Sequence, residues 1–258
     1  MKLGVIGFGN MGSAIVDGLL KKNVINSSDI YACANHFDKL KERCLARNIN
    51  ACKDDVDVAK NSDVIIIATP AVLFLETVKH IYDLVKSKII ISVCSGYTFS
   101  IVNEQYPLLH FIQTIPSTPI RYAEGITVVE NEHNLNDKDL QIFNELFTPI
   151  SLVKFVDTKQ LDIASTIAGC GPAFAAMFVE ALGDAGCKYG LNRDDAYSLA
   201  SKMLVGLGTS YLESHKHPGI LKDEVCSPNG STIRGVTKLE ESGFRNAIIK
   251  AIDEISNR

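Results

Sequence analysis

Over the first 157 residues, short apolar runs rich in β-branched side chains alternate with stretches whose apolar residues recur at helical spacing. The runs are Leu3–Ile6, Ile30–Ala34, Val64–Ala68, Ile89–Val93, His110–Gln113, Ile126–Val129 and Leu152–Phe155. The helical stretches are Ser13–Lys21, Asp38–Ala46, Val72–Val85 and Asp137–Phe147. Several runs are apolar throughout rather than alternating, the pattern of strands covered by helices on both faces. Strand, helix and strand in repetition predict an α/β fold with a doubly wound, mostly parallel sheet over residues 1–157. After Asp157 the β-branched runs stop. Ala196, Leu199, Ala200, Met203, Leu204, Leu207 and Tyr211 share one helical face, and breaks fall at Gly190, His217-Pro218 and Ser227-Pro228-Asn229-Gly230. Residues 158–258 therefore read as four or five helices. So few helices have little room for a private core, and part of their apolar surface is expected to meet another subunit.

Composition narrows the class. With 258 residues, 46% hydrophobic and 22% charged, the chain is globular rather than disordered or coiled coil, and long enough to bury roughly three-quarters of its unfolded surface without a metal or disulfide staple. A net charge of −4 argues against a nucleic-acid partner and against a polybasic membrane anchor. Seven cysteines, an odd number with no CxxC spacing, point to a reducing compartment. Gly4, Gly7, Gly9 and Asn10 interrupt the apolar stretch after Lys2, so no secretory signal is expected and the expected location is cytoplasmic. The uncharged segment Ile163–Val179, interrupted by Gly169, Gly171 and Pro172, reads as a buried helix rather than a membrane span.

The chemistry begins at Gly7-Phe8-Gly9-Asn10-Met11-Gly12, a GxGxxG motif between the first strand and the first helix. Gly7 permits the tight turn, Gly9 lets a pyrophosphate approach the backbone, and Gly12 lets the helix pack against the strand. This is a Rossmann-like dinucleotide site. The second strand ends Cys33-Ala34-Asn35-His36, with no carboxylate to take the ribose 2′-hydroxyl of NAD. NADP(H) is therefore favoured, with Asn35 and His36 as candidate phosphate neighbours, His36 equally readable as a solvated loop histidine, although the two carboxylates of Lys53-Asp54-Asp55 in a later loop keep NAD(H) possible. Segments expected beyond the carboxyl ends of later strands are Thr69-Pro70, Cys94-Ser95-Gly96 and Pro116-Ser117-Thr118-Pro119.

In the helical half, Ser227-Pro228-Asn229-Gly230-Ser231-Thr232 links one helix to the start of the next. Its hydroxyls and the N–H groups of that helix start make either a carboxylate site or only a capping turn. His215 and His217 have no partner cluster, so no metal is expected, and there is no hydrolase-like triad. Hydride addition to an already electrophilic C=N bond, which needs little side-chain acid–base chemistry, fits that inventory.

At these residues the chain resembles the Δ1-pyrroline-5-carboxylate reductase family, essentially end to end. The resemblance is strongest at Ala168–Phe174, Phe178–Leu182, Gly190–Arg193, His217-Pro218, Leu221–Asp223, Ser227–Ile233 and Leu239–Arg245, and it includes Ile6–Gly12. It implies reduction of pyrroline-5-carboxylate to L-proline by NAD(P)H, and a homodimer or higher oligomer built from an all-α dimerisation domain. It also implies that Ser227, Asn229, Gly230, Ser231 and Thr232 bind substrate, with Thr232 hydrogen-bonded to the ring nitrogen. On the cofactor side it adds Asp55, Ala68, Thr69, Pro70 and Cys94 to the glycine loop, Asn35 and His36. The chain departs from the family pattern in having Thr69 where lysine is common, Asp55 and Ser117 where asparagine is common, and Asn229 in place of glycine. Two alternatives stay open at this stage: a related hydroxyacid dehydrogenase, for which Lys202 and Lys222 are the proton-donor candidates, and a catalytically silent cofactor-binding paralogue.

Overall fold

A computed structural model of the chain describes residues 1–256. In chain order the elements are β1 (Leu3–Ile6), α1 (Asn10–Lys21), β2 (Ile30–Cys33), α2 (Phe37–Leu45), β3 (Asn50–Ala51), α3 (Asp55–Asn61), β4 (Val64–Ile67), α4 (Phe74–Val85), β5 (Ile89–Ser92), α5 (Phe99–Gln105), β6 (His110–Pro116), β7 (Gly125–Glu130), α6 (Asp137–Phe147), β8 (Ser151–Val156), α7 (Leu161–Lys188), α8 (Arg193–Ser214), α9 (Pro218–Asp223), α10 (Ser231–Glu241) and α11 (Phe244–Ser256). They divide into two compact units, Met1–Gly169 and Cys170–Arg258, and the division falls inside α7.

The first unit is an eight-stranded sheet of order β3-β2-β1-β4-β5-β6-β7-β8. The pairings from β3 through β6 are parallel, with Leu3 opposite both Ile30 and Val64. The chain leaves β1 toward β2 on one side and returns to β4 on the other, so β1 and β4 flank the topological switch point. Every residue of β1, β4 and β5 is buried, which explains their uninterrupted apolar character. One pairing departs from the parallel pattern: β7 runs antiparallel to β6, with Thr114 opposite Val129. Only residues 117–124 join these strands, with a 3₁₀ turn at Thr118–Tyr122, and that is too short for a crossover helix. The parallel pairing resumes between β7 and β8, across α6.

Three apolar clusters hold this unit together. One face of the sheet packs Leu3, Val5, Val64 and Ile66 against Ile15, Leu19, Phe143 and Phe147. The other packs Ile65, Ile67 and Ile90 against Phe74, Val78, Ile81 and Phe111. The third joins Val128 to Leu161 and Ala168 at the start of α7.

The second unit is all-α. Helices α7 and α8 approach closely because Gly183 faces the Tyr197 ring and Gly186 lies against Ala196, and Arg193 joins them by an ion pair to Asp184 at 2.7 Å. Two expectations about α7 need correction. It is continuous through Pro172 rather than broken there. Nor is it buried within the chain: only 6% of its most apolar window is covered. A helix that is apolar on more than one side needs partners around it, and five helices supply too few. By length and composition alone, Thr158–Lys188 could cross a membrane.

Candidate active site

The glycine loop is built by sterics and two hydrogen bonds. Gly7 adopts φ +95°, a left-handed conformation costly for other residues. A Cβ there would also lie 2.5 Å from the carbonyl oxygen of Ala68. The N–H groups of Gly7 and Phe8 both donate to the Cys33 carbonyl, at 3.1 and 2.9 Å, which ties the loop to the end of β2. A Cβ on Gly12 would sit 2.6 Å from the Gly7 carbonyl oxygen, so α1 packs against the turn as closely as backbone allows. Around Gly9 the opposite holds. Nothing lies within 4 Å of a Cβ placed there, and no side chain caps the start of α1. Open space beside uncapped helical N–H groups fits a phosphate-bearing ligand.

This loop forms one wall of a cavity of about 600 Å³ beyond the carboxyl ends of β1, β2 and β4. Asn35, His36, Lys39 and Arg43 form a second wall, Lys53, Asp54 and Asp55 a third, and Ala68, Thr69 and Pro70 a fourth. Arg43 donates from Nη1 to the Phe8 carbonyl at 3.2 Å. In the turn just past the end of α2, Arg47 grips Asp17 through two nitrogens, at 2.6 and 3.1 Å. Both acids in the cavity wall are engaged. Asp54 caps α3 by accepting from the Asp57 N–H at 2.7 Å. Asp55 accepts from the Val56 N–H at 2.9 Å and meets His80 Nδ1 at 2.8 Å. That hydrogen bond, with the carboxylate charge behind it, holds the His80 pKa above its ordinary 6.5. Burial pushes the Cys33 and Cys52 thiols up to about 12 and raises Cys94 as well. Burial thus disfavours the thiolate form of all three.

Of the cofactor-side candidates, Gly7, Phe8, Gly9, Asn35, His36, Asp55, Ala68, Thr69 and Pro70 meet around this one cavity. Phe8 borders it although the residue is almost wholly buried in the core. Asn10, Met11, Gly12 and Cys94 do not line it. Asn10 is exposed at the head of α1, Met11 packs toward the core, and Gly12 sits beneath the turn. Cys94 is buried with Sγ donating to the Thr69 carbonyl at 3.1 Å, so it braces the Thr69 segment from below. Lys53 lines the cavity with the Asp54-Asp55 loop expected near the adenosine, and Lys39 and Arg43, which the sequence reading does not single out, line it too. The available signal was the four-residue spacing of Lys39 and Arg43 on a helix starting beside Asn35-His36.

The substrate-side candidates lie in the second unit. Asn229 takes φ +58°, as an asparagine in a turn can, and the Gly230 N–H donates to the Ser227 carbonyl at 3.0 Å. The turn delivers the chain into α10, whose first residues are Ser231 and Thr232 and whose N-terminus has no side-chain cap. Ser227, Asn229, Ser231 and Thr232 are all exposed. The turn thus presents hydroxyls together with free helical N–H groups, a set of donors suited to a carboxylate.

Over 257 residues the chain is 37% identical to the pyrroline-5-carboxylate reductase of Treponema pallidum, covering 98% of this chain and 97% of that protein. The chain belongs to the pyrroline-5-carboxylate reductase family. The Arabidopsis thaliana reductase of the same name is 32% identical over 100% of this chain and 94% of its own length. The family described as pyrroline-5-carboxylate reductase dimerisation matches residues 158–258 of this reductase, and the one described as NADP oxidoreductase, coenzyme F420-dependent, matches residues 2–96. Among solved structures, the Plasmodium falciparum pyrroline carboxylate reductase with NADP bound superposes with a TM-score of 0.87 at 27% identity, covering 99% of this chain and 95% of that one. The Coxiella burnetii reductase, 24% identical with a TM-score of 0.88, covers 100% and 96% and shares the fold.

Proposed function

We infer that this reductase converts Δ1-pyrroline-5-carboxylate to L-proline, with NADPH as the preferred cofactor and a second copy of the chain as its partner. The observation that carries the activity is the full-length match to reductases of that name, at 37% identity to the Treponema pallidum protein. When bound, NADPH would supply the hydride that adds to the imine carbon of the ring, with one proton taken up at the ring nitrogen. The glycine loop, with Gly9 open to the cavity, holds the diphosphate against the head of α1. Ala68, Thr69 and Pro70 at the end of β4, braced by Cys94, form the wall facing the other end of the cofactor.

The Ser227–Thr232 turn grips the substrate carboxylate, and the Thr232 hydroxyl hydrogen-bonds the ring nitrogen and orients the C=N bond. Catalysis then comes from positioning, since the reactive hydride is the cofactor's. For NADPH over NADH, the support is the absence of a carboxylate at the end of β2 and the engagement of Asp55 by His80, 2.8 Å away. A homo-oligomer is supported by the dimerisation match and by the exposed apolar face of the helical unit. The proposed location is the cytoplasm, where free thiols such as these seven persist.

The test is cofactor oxidation by the purified chain with pyrroline-5-carboxylate, with a keto acid, or with neither. Turnover with the pyrroline alone is expected; turnover with the keto acid instead, or with neither substrate, overturns the assignment. Thr232→Ala should lower kcat/KM by the value of one buried hydrogen bond, about 1–3 kcal/mol, and unchanged kinetics would remove Thr232 from the mechanism.

A further inference from the structure

We propose that Arg43, assisted by Lys39, reads the ribose 2′-phosphate of the cofactor and so sets the preference for NADPH. The inference deepens the cofactor assignment above and rests on it. Arg43 lies on α2, one turn beyond Lys39, and both line the cavity just past the end of β2, where a dinucleotide fold reads the adenosine ribose. One guanidinium nitrogen is fixed to the Phe8 carbonyl of the glycine loop at 3.2 Å. A guanidinium has five N–H donors in a planar fork, so that anchor leaves the rest of the fork available to a ligand.

Its charge is also uncompensated. Among the described residues Arg47 is paired with Asp17, while neither Arg43 nor Lys39 takes part in an ion pair. The carboxylates that share the cavity are already committed, Asp54 to the start of α3 and Asp55 to His80. Thr69, at the end of β4, contributes no positive charge. Lys53 also lines the cavity, but on the wall it shares with Asp54 and Asp55, so the two cations grouped together without a carboxylate are those of α2. A fork held in place and unpaired, with a second cation one helical turn away, matches a phosphate dianion better than the neutral hydroxyl that NADH presents there.

Calorimetric titration of the full chain with 2′,5′-ADP and with 5′-ADP tests this without catalysis, since the two ligands differ by the 2′-phosphate. The wild-type chain should bind 2′,5′-ADP more tightly, with a preference that shrinks as salt is raised. Arg43→Ala should weaken 2′,5′-ADP on the order of 10- to 100-fold while changing 5′-ADP by less than about threefold, and Arg43→Lys should fall between, because it keeps the charge but loses the fork. If Arg43→Ala weakens both ligands equally, Arg43 serves the loop or the diphosphate and the inference fails. If wild-type preference survives in Arg43→Ala, the inference fails while the NADPH assignment stands. If the wild-type chain shows no preference at all, the NADPH assignment falls and takes the inference with it. Unchanged thermal melts of the variants establish that each result reports on binding.

Discussion

The two units solve the burial problem in opposite ways. The sheet unit encloses its own interior: Phe8, Phe74, Phe111, Phe143 and Phe147 are among the largest fully buried side chains, and all belong to it. Among the described residues of the helical unit, the buried apolar side chains are only Ala196, Ala200 and Leu221, whereas Met177, Leu182, Leu199, Met203, Leu207 and Tyr211 are exposed. A parallel sheet sandwiched by helices has two faces on which to bury side chains. A small set of helices offers each member few neighbours, and the surplus apolar surface must be covered from outside the chain. The first unit thus holds the glycine-loop cavity in a framework that buries its own core, while the second leaves apolar helix surface exposed, which under the proposed function a second copy of the chain covers.

The largest expected effect attacks the second strategy. Met203→Glu with Leu207→Glu places two carboxylates on the exposed apolar face of α8, where an interface would desolvate them at a cost of several kcal/mol each. Light scattering should show loss of the oligomer and calorimetry a lower melting temperature. Leu45→Glu, on a still more exposed leucine of the sheet unit, should change neither; an intact oligomer in the double variant would remove this face from the interface.

Next comes the glycine loop. Gly7→Ala combines a left-handed φ with a backbone collision at Ala68, and should destabilise by about 2–4 kcal/mol in urea unfolding, by the same amount at every protein concentration. Gly9→Val meets open space and should leave stability unchanged while abolishing dinucleotide binding.

A smaller loss is expected at Glu130. Its carboxylate is fully buried at the end of β7 and accepts from the Phe99 N–H at 2.6 Å and from the Thr158 hydroxyl at 2.7 Å. Glu130→Ala strands both donors and should cost about 2–3 kcal/mol in the same urea experiment, and a loss below half of that would mean water replaces the carboxylate.

The smallest effect is pH-dependent. Asp55 raises the His80 pKa above 6.5, so the pair's contribution is complete below 6.5 and is lost as pH rises through the folded value. The melting-temperature difference between wild type and His80→Gln should therefore be greatest on the acidic side of neutrality and fade toward alkaline pH. A difference that grows with pH would refute the pairing.

Legibility in the sequence follows the same division. Strands buried on both faces, such as Val64–Ile67, announce themselves by composition because every position meets the same environment. Asn50–Ala51, Asp55–Asn61 and Phe99–Gln105 are short and mostly polar, and their structure depends on neighbours that are distant in sequence. The antiparallel β7 was hidden because periodicity reports that a strand exists and not its direction. Pro172 suggested a break, but α7 continues through it. In the cavity the glycine loop could be read from spacing, since each glycine answers a local steric demand. Arg43 could not, because only the packing of α2 against the loop brings its guanidinium to the Phe8 carbonyl. The exposure of α7 is hidden for the corresponding reason, since apolar composition does not say which neighbours, if any, a helix packs against.

The double hydrogen bond from Gly7 and Phe8 to a single carbonyl at Cys33 has a kinetic and entropic consequence. Because the loop is pinned by its own chain, its shape exists before any nucleotide arrives, and binding need not freeze a mobile segment. Those two amides should exchange slowly with heavy water even in the ligand-free protein, and association should proceed as a docking event rather than a folding one.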